Sequence, residues 1–391
     1  MALFRAPRVA LVACATFLVA ACDDPVGTTD PPPADAALLV GATGALRAVP
    51  ADARGTPREI GRVGDRVYRC AARIDGLGVL LTVADSTTAN RRFVVVDPRT
   101  GERRREIALA PIERATPDSA RLDVAFPFFC TVDARGTRIA VPGRAAGRNG
   151  VAILALDDPR LVAFLPGATF PGLAFGRWRD REALLIARYP APTTPLSRLQ
   201  LVAHDPATLA PFDSVVVPAS EQAFSVRVVT IPGAPWTVVI HAGRASLCQP
   251  AGCSVARGAM GGIGDVTPVT RPGGATWLLA MPPVLGAWIP LPREVLLLTP
   301  TGEVVERHAF GSVYPTSVTP DAVTGLWVVT ATTRIPFAIG LQTSASAVQD
   351  LASSWPARPL LPDVVITYDP VRRRELRRDP LCGGARRPRR A

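Results

Sequence analysis

An all-β chain built from repeated small antiparallel sheets is the fold this sequence predicts, and two observations carry the prediction. Apolar residues fall in short runs bounded by Gly, Pro, Asp and Thr, and the three-to-four spacing of long amphipathic helices is missing. Two motifs also alternate along the 391 residues. The first is a turn followed by an apolar strand, at 74–83, 133–141, 179–187, 232–240, 272–280 and 323–331, with Trp236, Trp277 and Trp327 at one shared place. The second is an apolar strand, a turn and a charged strand: FVVVDPRTGERRREI (93–107), VAILALDDPRLVAF (151–164), LVAHDPATLAPFDSV (201–215), VLLLTPTGEVVERHAF (295–310) and VVITYDPVRRRELRR (364–378).

Each part of this pattern has a physical reason. A fully apolar strand suits a position buried on both faces, and a partly charged one suits an outer edge. Asp-Pro followed by Thr-Gly makes the tight turn between them, Pro fixing φ and Gly accepting positive φ. A further short strand precedes the first motif, as at 67–74, 125–132, 224–231 and 314–320. Four strands per repeat, with repeats starting near 64, 122, 168, 219, 264 and 311, make the blades of a β-propeller.

On these motifs the chain resembles bacterial β-propeller proteins of the YVTN and quinoprotein-like type over nearly all of 36–380. The resemblance implies four-stranded antiparallel blades. Seven are expected, counting residues 36–63 as an incomplete seventh; six is the alternative, with those residues as closing strands of the ring.

The N-terminus speaks to location. Arg5 and Arg8 precede an apolar run, Val9 to Ala20, that is too short for a membrane span and right for a secretory signal. It ends Val19-Ala20-Ala21-Cys22, which resembles the lipobox of bacterial lipoproteins. That resemblance implies that residues 1–21 are cleaved off as a signal peptide and that Cys22 carries the lipid, anchoring an exported protein to a membrane of the bacterial envelope. The other reading is an ordinary signal peptide with a chance cysteine. Residues 22–35 then form a Pro-, Thr- and Asp-rich tether, 36–380 the propeller and 381–391 a basic disordered tail.

The net charge of +11 invites a nucleic-acid reading, which the residues argue against. All 44 basic residues are Arg, a bias that fits G+C-rich coding, and along the chain they are scattered except at 372–378 and 386–390. Of the seven cysteines, Cys248 and Cys253 enclose Gln-Pro-Ala-Gly and are expected to close a disulfide at a hairpin tip. Cys70, Cys130 and Cys382 allow three pairings, with one thiol left over.

No catalytic set, metal-ligand set or cofactor motif stands out. His204, His241 and His308 fall at unrelated points of three repeats and read as neutral, solvated or partly packed. GAMGGIG at 258–264 reads as an interblade loop. The second-to-third-strand loops are long, at 84–92, 142–150, 188–198, 281–293 and 332–362, the last with a short helix expected near 345–353. They make one face the candidate binding surface, furnished by Arg144, Arg148, Arg188, Tyr189, Arg198, Trp288, Arg293, Arg334, Trp355 and Arg358. The function expected is a non-enzymatic scaffold that presents this face to a protein, peptide or glycan partner. Two alternatives stand beside it. One is an envelope hydrolase, lyase or quinone-type oxidoreductase in which Asp75, Asp133, Asp265 or Asp321 converge with a His at the channel mouth; the other is a structural subunit of an envelope assembly, docked through the loop around Trp288.

Overall fold

The computed structural model describes 27 strands and their tight turns between residues 37 and 380. Residues 1–36 and 381–391 lie outside the described part, as do several internal stretches, the longest being 50–57, 110–129, 190–197, 256–264, 282–292 and 333–363. The expected helix near 345–353, the loop 258–264 and Trp288, Arg334, Trp355 and Arg358 fall there.

The strands make consecutive antiparallel meanders. Sheet 1 holds β1 (Ala37–Val40), β2 (Ala45–Val49) and β3 (Arg58–Arg62). Sheet 2 holds β4 (Arg66–Ile74), β5 (Gly78–Ala84), β6 (Arg91–Val96) and β7 (Arg103–Ala108). Sheet 3 holds β8 (Thr131–Val132), β9 (Arg138–Ala145), β10 (Arg148–Ala155) and β11 (Arg160–Pro166). Sheet 4 holds β12 (Gly172–Trp178), β13 (Arg181–Arg188), β14 (Gln200–His204) and β15 (Pro211–Val216). Sheet 5 holds β16 (Val226–Thr230), β17 (Thr237–His241), β18 (Arg244–Gln249) and β19 (Gly252–Val255). Sheet 6 holds β20 (Asp265–Thr270), β21 (Thr276–Met281), β22 (Glu294–Leu298) and β23 (Val304–Ala309). Sheet 7 holds β24 (Tyr314–Pro320), β25 (Trp327–Thr332), β26 (Val364–Asp369) and β27 (Arg374–Pro380).

This corrects the expected ring of seven, or six, blades of four-stranded sheets. Six sheets have four strands, and the N-terminal one has three. In sheet 1, β3 lies beside β7, where the Arg103 guanidinium donates to the Arg62 carbonyl at 3.0 Å. Leu46 of β2 packs on Leu81 of β5 and Val94 of β6. Sheet 1 therefore fills the three outer strand positions, and no described strand takes the inner one. The sequence before Ala37 carries Pro31, Pro32 and Pro33, which have no N–H to offer a ladder.

The core lies between sheets. Leu80 and Phe93 of sheet 2 pack on Ile139 and Leu154 of sheet 3, and Ala140 and Ile153 of sheet 3 pack on Leu184 of sheet 4. Leu185 and Leu201 of sheet 4 meet Val226 and Val239 of sheet 5, which in turn lays Val238 and Ile240 against Val266 and Leu298 of sheet 6. Val295 and Leu297 meet Trp327 and Ile366 of sheet 7, and Val328 and Val365 of sheet 7 meet Val49 of sheet 1, which closes the ring. Burial follows the motif logic: β17 is buried throughout, while the fourth strands β7 and β27 are mostly exposed and β15 has no buried residue.

The Asp-Pro signature proves to be a built turn. One carboxylate oxygen of Asp97 accepts the N–H groups of Arg99 and Thr100. Asp205 does the same for Ala207 and Thr208, and Asp369 for Val371 and Arg372. The fifth residue of each turn is left-handed: Gly101 (φ 73°), Leu209 (φ 61°) and Arg373 (φ 51°). A β-bulge precedes the turn in each of these sheets, between Val95 and Val96, Ala203 and His204, and Thr367 and Tyr368. Sheet 5 uses another device, a disulfide joining paired Cys248 and Cys253 across the β18–β19 tip, as the sequence predicts. Cys130 is also disulfide-bonded.

Candidate functional site

In a meander of this kind the loops from second to third strand leave at one end of the ring, and the turns from third to fourth strand leave at the other. At the loop end, residues 142–150 depart from the expected long loop. They complete a hairpin in which β9 and β10 pair to their tips, with Arg148 opposite Ala145 and Asn149 opposite Arg144. Ala146 (φ 47°) and Gly147 (φ 76°) make the two-residue turn, both left-handed, the geometry that matches strand twist. Side chains alternate across a strand, so Arg144 and Arg148 project from opposite faces of this exposed tip.

The remaining described residues of the expected binding face differ in availability. Arg198 is exposed just before β14. Arg188 is half-buried at the end of β13. Tyr189 packs against the apolar cluster between sheets 4 and 5, so much of its ring is already engaged. The Arg293 guanidinium donates to the Tyr314 hydroxyl at 3.0 Å and lies 4.9 Å from that ring's centroid, which ties it to sheet 7. Topology thus brings Arg144, Arg148, Arg188, Tyr189, Arg198 and Arg293 to one end of the ring, with Arg144, Arg148 and Arg198 the most open to a partner.

The histidines are buried, which selects the packed side of the expected reading over the solvated one, and they stand in three separate sheets. His204 Nδ1 lies 2.9 Å from the Leu209 carbonyl and His241 Nε2 3.0 Å from the Pro218 carbonyl. Burial holds both imidazoles below the ordinary histidine range, only partly countered by these carbonyls. His308 sits between sheets 6 and 7 with Nδ1 at 3.2 Å from the Tyr368 hydroxyl and Nε2 at 3.1 Å from Glu306 Oε2. This carboxylate–imidazole–hydroxyl row has the composition of an acid–base relay. Its imidazole meets Trp327 edge-on, with centroids 4.6 Å apart, and Phe310 covers Tyr368, so the row serves as polar packing between two sheets.

Of the acids proposed for a channel-mouth site, Asp133 is spent on its own turn. Its carboxylate accepts the Thr137 and Arg138 N–H groups at 2.7 and 3.0 Å and the Thr137 hydroxyl at 2.8 Å. Asp75 and Asp321, and the side chain of Asp265, lie outside the described residues. Among the described residues no group of three or more His, Cys, Asp or Glu could hold a metal ion, and no helix is long and apolar enough to cross a membrane.

Two arrangements escape a reading of the sequence. Trp178 is buried and its indole N–H donates to Asp213 Oδ2 at 2.6 Å, an oxygen that also accepts from Arg179 Nε at 2.8 Å. Burial works against the ionised form of Asp213, yet these two bonds hold its carboxyl below the usual range. The second is the charge of the outer hairpins, formed by the third and fourth strands. That of sheet 2 (91–108) carries six Arg against three acids, that of sheet 1 three against one over its described residues 45–49 and 58–62, and that of sheet 7 (364–380) five against three. The outer hairpins of sheets 4 (200–216) and 6 (294–309) instead carry an excess of two acids each. Arginines scattered along the chain thus gather on three consecutive sheets once the ring closes.

No family model and no curated protein matches the chain. Solved structures do. The WD40 β-propeller domain of Doa1 is 9% identical with a TM-score of 0.47, over 82% of this chain and 84% of that one. The dihydro-heme d1 dehydrogenase NirN is 15% identical with a TM-score of 0.46, over 93% and 76%. TolB from Acinetobacter baumannii is 12% identical with a TM-score of 0.41, over 70% and 62%. At such identities the likeness concerns fold alone.

Proposed function

We propose that this protein is a lipid-anchored scaffold of the bacterial envelope whose propeller binds a protein, peptide or glycan partner at its loop end. The observation that carries the reading is the hairpin tip with Arg144 and Arg148, exposed beside Arg198 at the same end of the ring. The two-residue turn fixes the backbone from which both arginines project before a partner arrives, so the ordering left to binding is that of the side chains. Recognition would rest on bidentate Arg contacts to carboxylates or other oxygen-rich groups, without bond chemistry. Support for the anchor comes from the lipobox-like Val19-Ala20-Ala21-Cys22 and the Pro-rich tether after it.

The test is cross-linking of the tagged chain in envelope extracts. A specific adduct should be lost with Arg144→Ser/Arg148→Ser/Arg198→Ser and kept with Arg135→Ser/Arg160→Ser, which lie at the opposite end of sheet 3. Equal adducts from both variants would refute the loop end as the binding face. Intact mass of the wild-type mature chain decides the anchor, since a diacylglyceryl group on Cys22 is required.

A further inference from the structure

We propose that the outer hairpins of sheets 7, 1 and 2 form a basic docking sector for an anionic lipid surface, seated at the turn end of the ring, so that the loop end faces away from the membrane. The inference rests on the lipid-anchor reading of Cys22 and adds to it a second attachment and an orientation.

Three observations meet here. The first is charge: these three hairpins hold a surplus of Arg, while those of sheets 4 and 6 hold a surplus of acids. Several of the sector's arginines already have partners, Arg104 with Asp97, Arg92 with Glu106 and Arg378 with Glu375. Arg99, Arg373 and Arg374 are exposed with no acidic partner among the described residues. The second observation is continuity. β3 meets β7 through the Arg103–Arg62 bond, and sheet 7 meets sheet 1 through Val365 and Val49.

The third observation is where the chain enters. Ala37 pairs with Val49, the last residue of β2, so β1 begins at the end of sheet 1 where the β2–β3 connection lies. That is the turn end, which in the neighbouring sheets carries Arg99 and, on the other side, Arg372 and Arg373. Cys22 stands only 15 positions before Ala37 (37 less 22), and an extended tether of that length reaches roughly 50 Å at most. The two acyl chains of a diacylglyceryl anchor hold the N-terminus at the membrane but leave the ring free to turn on its tether, and a basic patch beside the entry point adds attraction to anionic lipid and fixes which end faces the surface. Among polyanions, the lipid surface is favoured because the anchor delivers this sector to it.

The experiment uses the chain from Cys22 onward with Cys22→Ser, made without its signal, so that no lipid contributes. It is sedimented with vesicles of phosphatidylcholine alone or mixed with phosphatidylglycerol. Binding to the mixed vesicles only, weakened by salt, is expected. Arg99→Ser/Arg373→Ser/Arg374→Ser should lower it about fivefold per arginine, roughly a hundredfold together, while Arg177→Ser/Arg307→Ser leaves it within about twofold. No binding to the mixed vesicles, equal binding to both kinds, or equal loss in the two variants overturns the proposal. So does retention of a DNA duplex without retention on phosphatidylglycerol. Because the chain tested is unlipidated, an unmodified Cys22 in the native protein would defeat the anchor reading separately and leave the vesicle result standing on its own.

Discussion

Gly101 offers a sharp test of how the sheets are held together. It occupies the left-handed position of the β6–β7 turn, φ 73°, and its turn packs against the neighbouring β3. A Cβ there would stand 2.7 Å from the Ile60 carbonyl oxygen and 3.1 Å from its carbon. Gly311 is also left-handed, φ 62°, but a Cβ there meets nothing within 4 Å. Gly311→Ala therefore reports conformational strain alone: about 1–2 kcal/mol for the left-handed region, offset by up to ~1 kcal/mol from the stiffer unfolded chain. Gly101→Ala adds an overpacked backbone contact worth about 1–3 kcal/mol, for a total of roughly 2–4 kcal/mol. Thermal unfolding followed by calorimetry should show a fall of about 2 °C for Gly311→Ala and about 4–8 °C for Gly101→Ala, taking ~2 °C per kcal/mol for a domain of this size. Gly101→Asn, whose side chain tolerates positive φ, should recover part of the strain and none of the clash. If Gly101→Ala unfolds no earlier than Gly311→Ala, the turn is not wedged against β3, and the account of the sheet 1–sheet 2 joint fails.

Three further outcomes are expected. Asp213→Ala leaves the buried Trp178 indole N–H without its acceptor and should cost about 1–3 kcal/mol in urea unfolding, whereas an unmoved midpoint would show that the indole does not depend on this carboxylate. His204 and His241 are held neutral by burial, so their folded pKa values lie below the unfolded value of about 6.5; the unfolded chain takes up protons first, and stability should fall as pH drops through that value toward the folded ones. Urea midpoints from about pH 8 to about pH 5 should show this slope, and a flat profile would contradict the burial of these rings. Cys248→Ser/Cys253→Ser opens a short loop and should lose about 2 kcal/mol, read from the same denaturation curves, with a larger loss pointing to a role for the disulfide beyond its hairpin tip.

What was legible in the sequence was local. The Asp-Pro turns, the apolar second and third strands and the Cys248–Cys253 tip each depend on residues a few positions apart, and each stands where the pattern put it. Pro142 and Gly143 led the 142–150 segment to be read as a loop, but the strand passes straight through both and turns only at Ala146 and Gly147. The histidines read as neutral, solvated or partly packed, and no local window decides among these, because what buries His308 is Trp327 and Tyr368 from the next sheet. The four-stranded blade failed at the one repeat whose upstream neighbour is a proline run. The gathering of arginines is invisible for a further reason: residues 91–105 and 372–378 come to flank sheet 1 only through ring closure, which no local window contains.

The ring also has a seam where its two ends meet. Sheets 6 and 7 share an apolar cluster that includes Trp327, Tyr368, Phe310 and Ile366, while the apolar cluster shared by sheets 7 and 1 is made of the small side chains Val49, Val328 and Val365. This joint unites the two ends of the described chain, so its contacts are the most distant in sequence and should be among the last to form as the protein folds. It also lies at the N-terminal end of the described chain. A pull applied at Ala37 is delivered to the three-stranded sheet and to the valine seam beside it, so under load the ring should part there first, like a bracelet opening at its clasp, with sheets 2 to 6 still stacked.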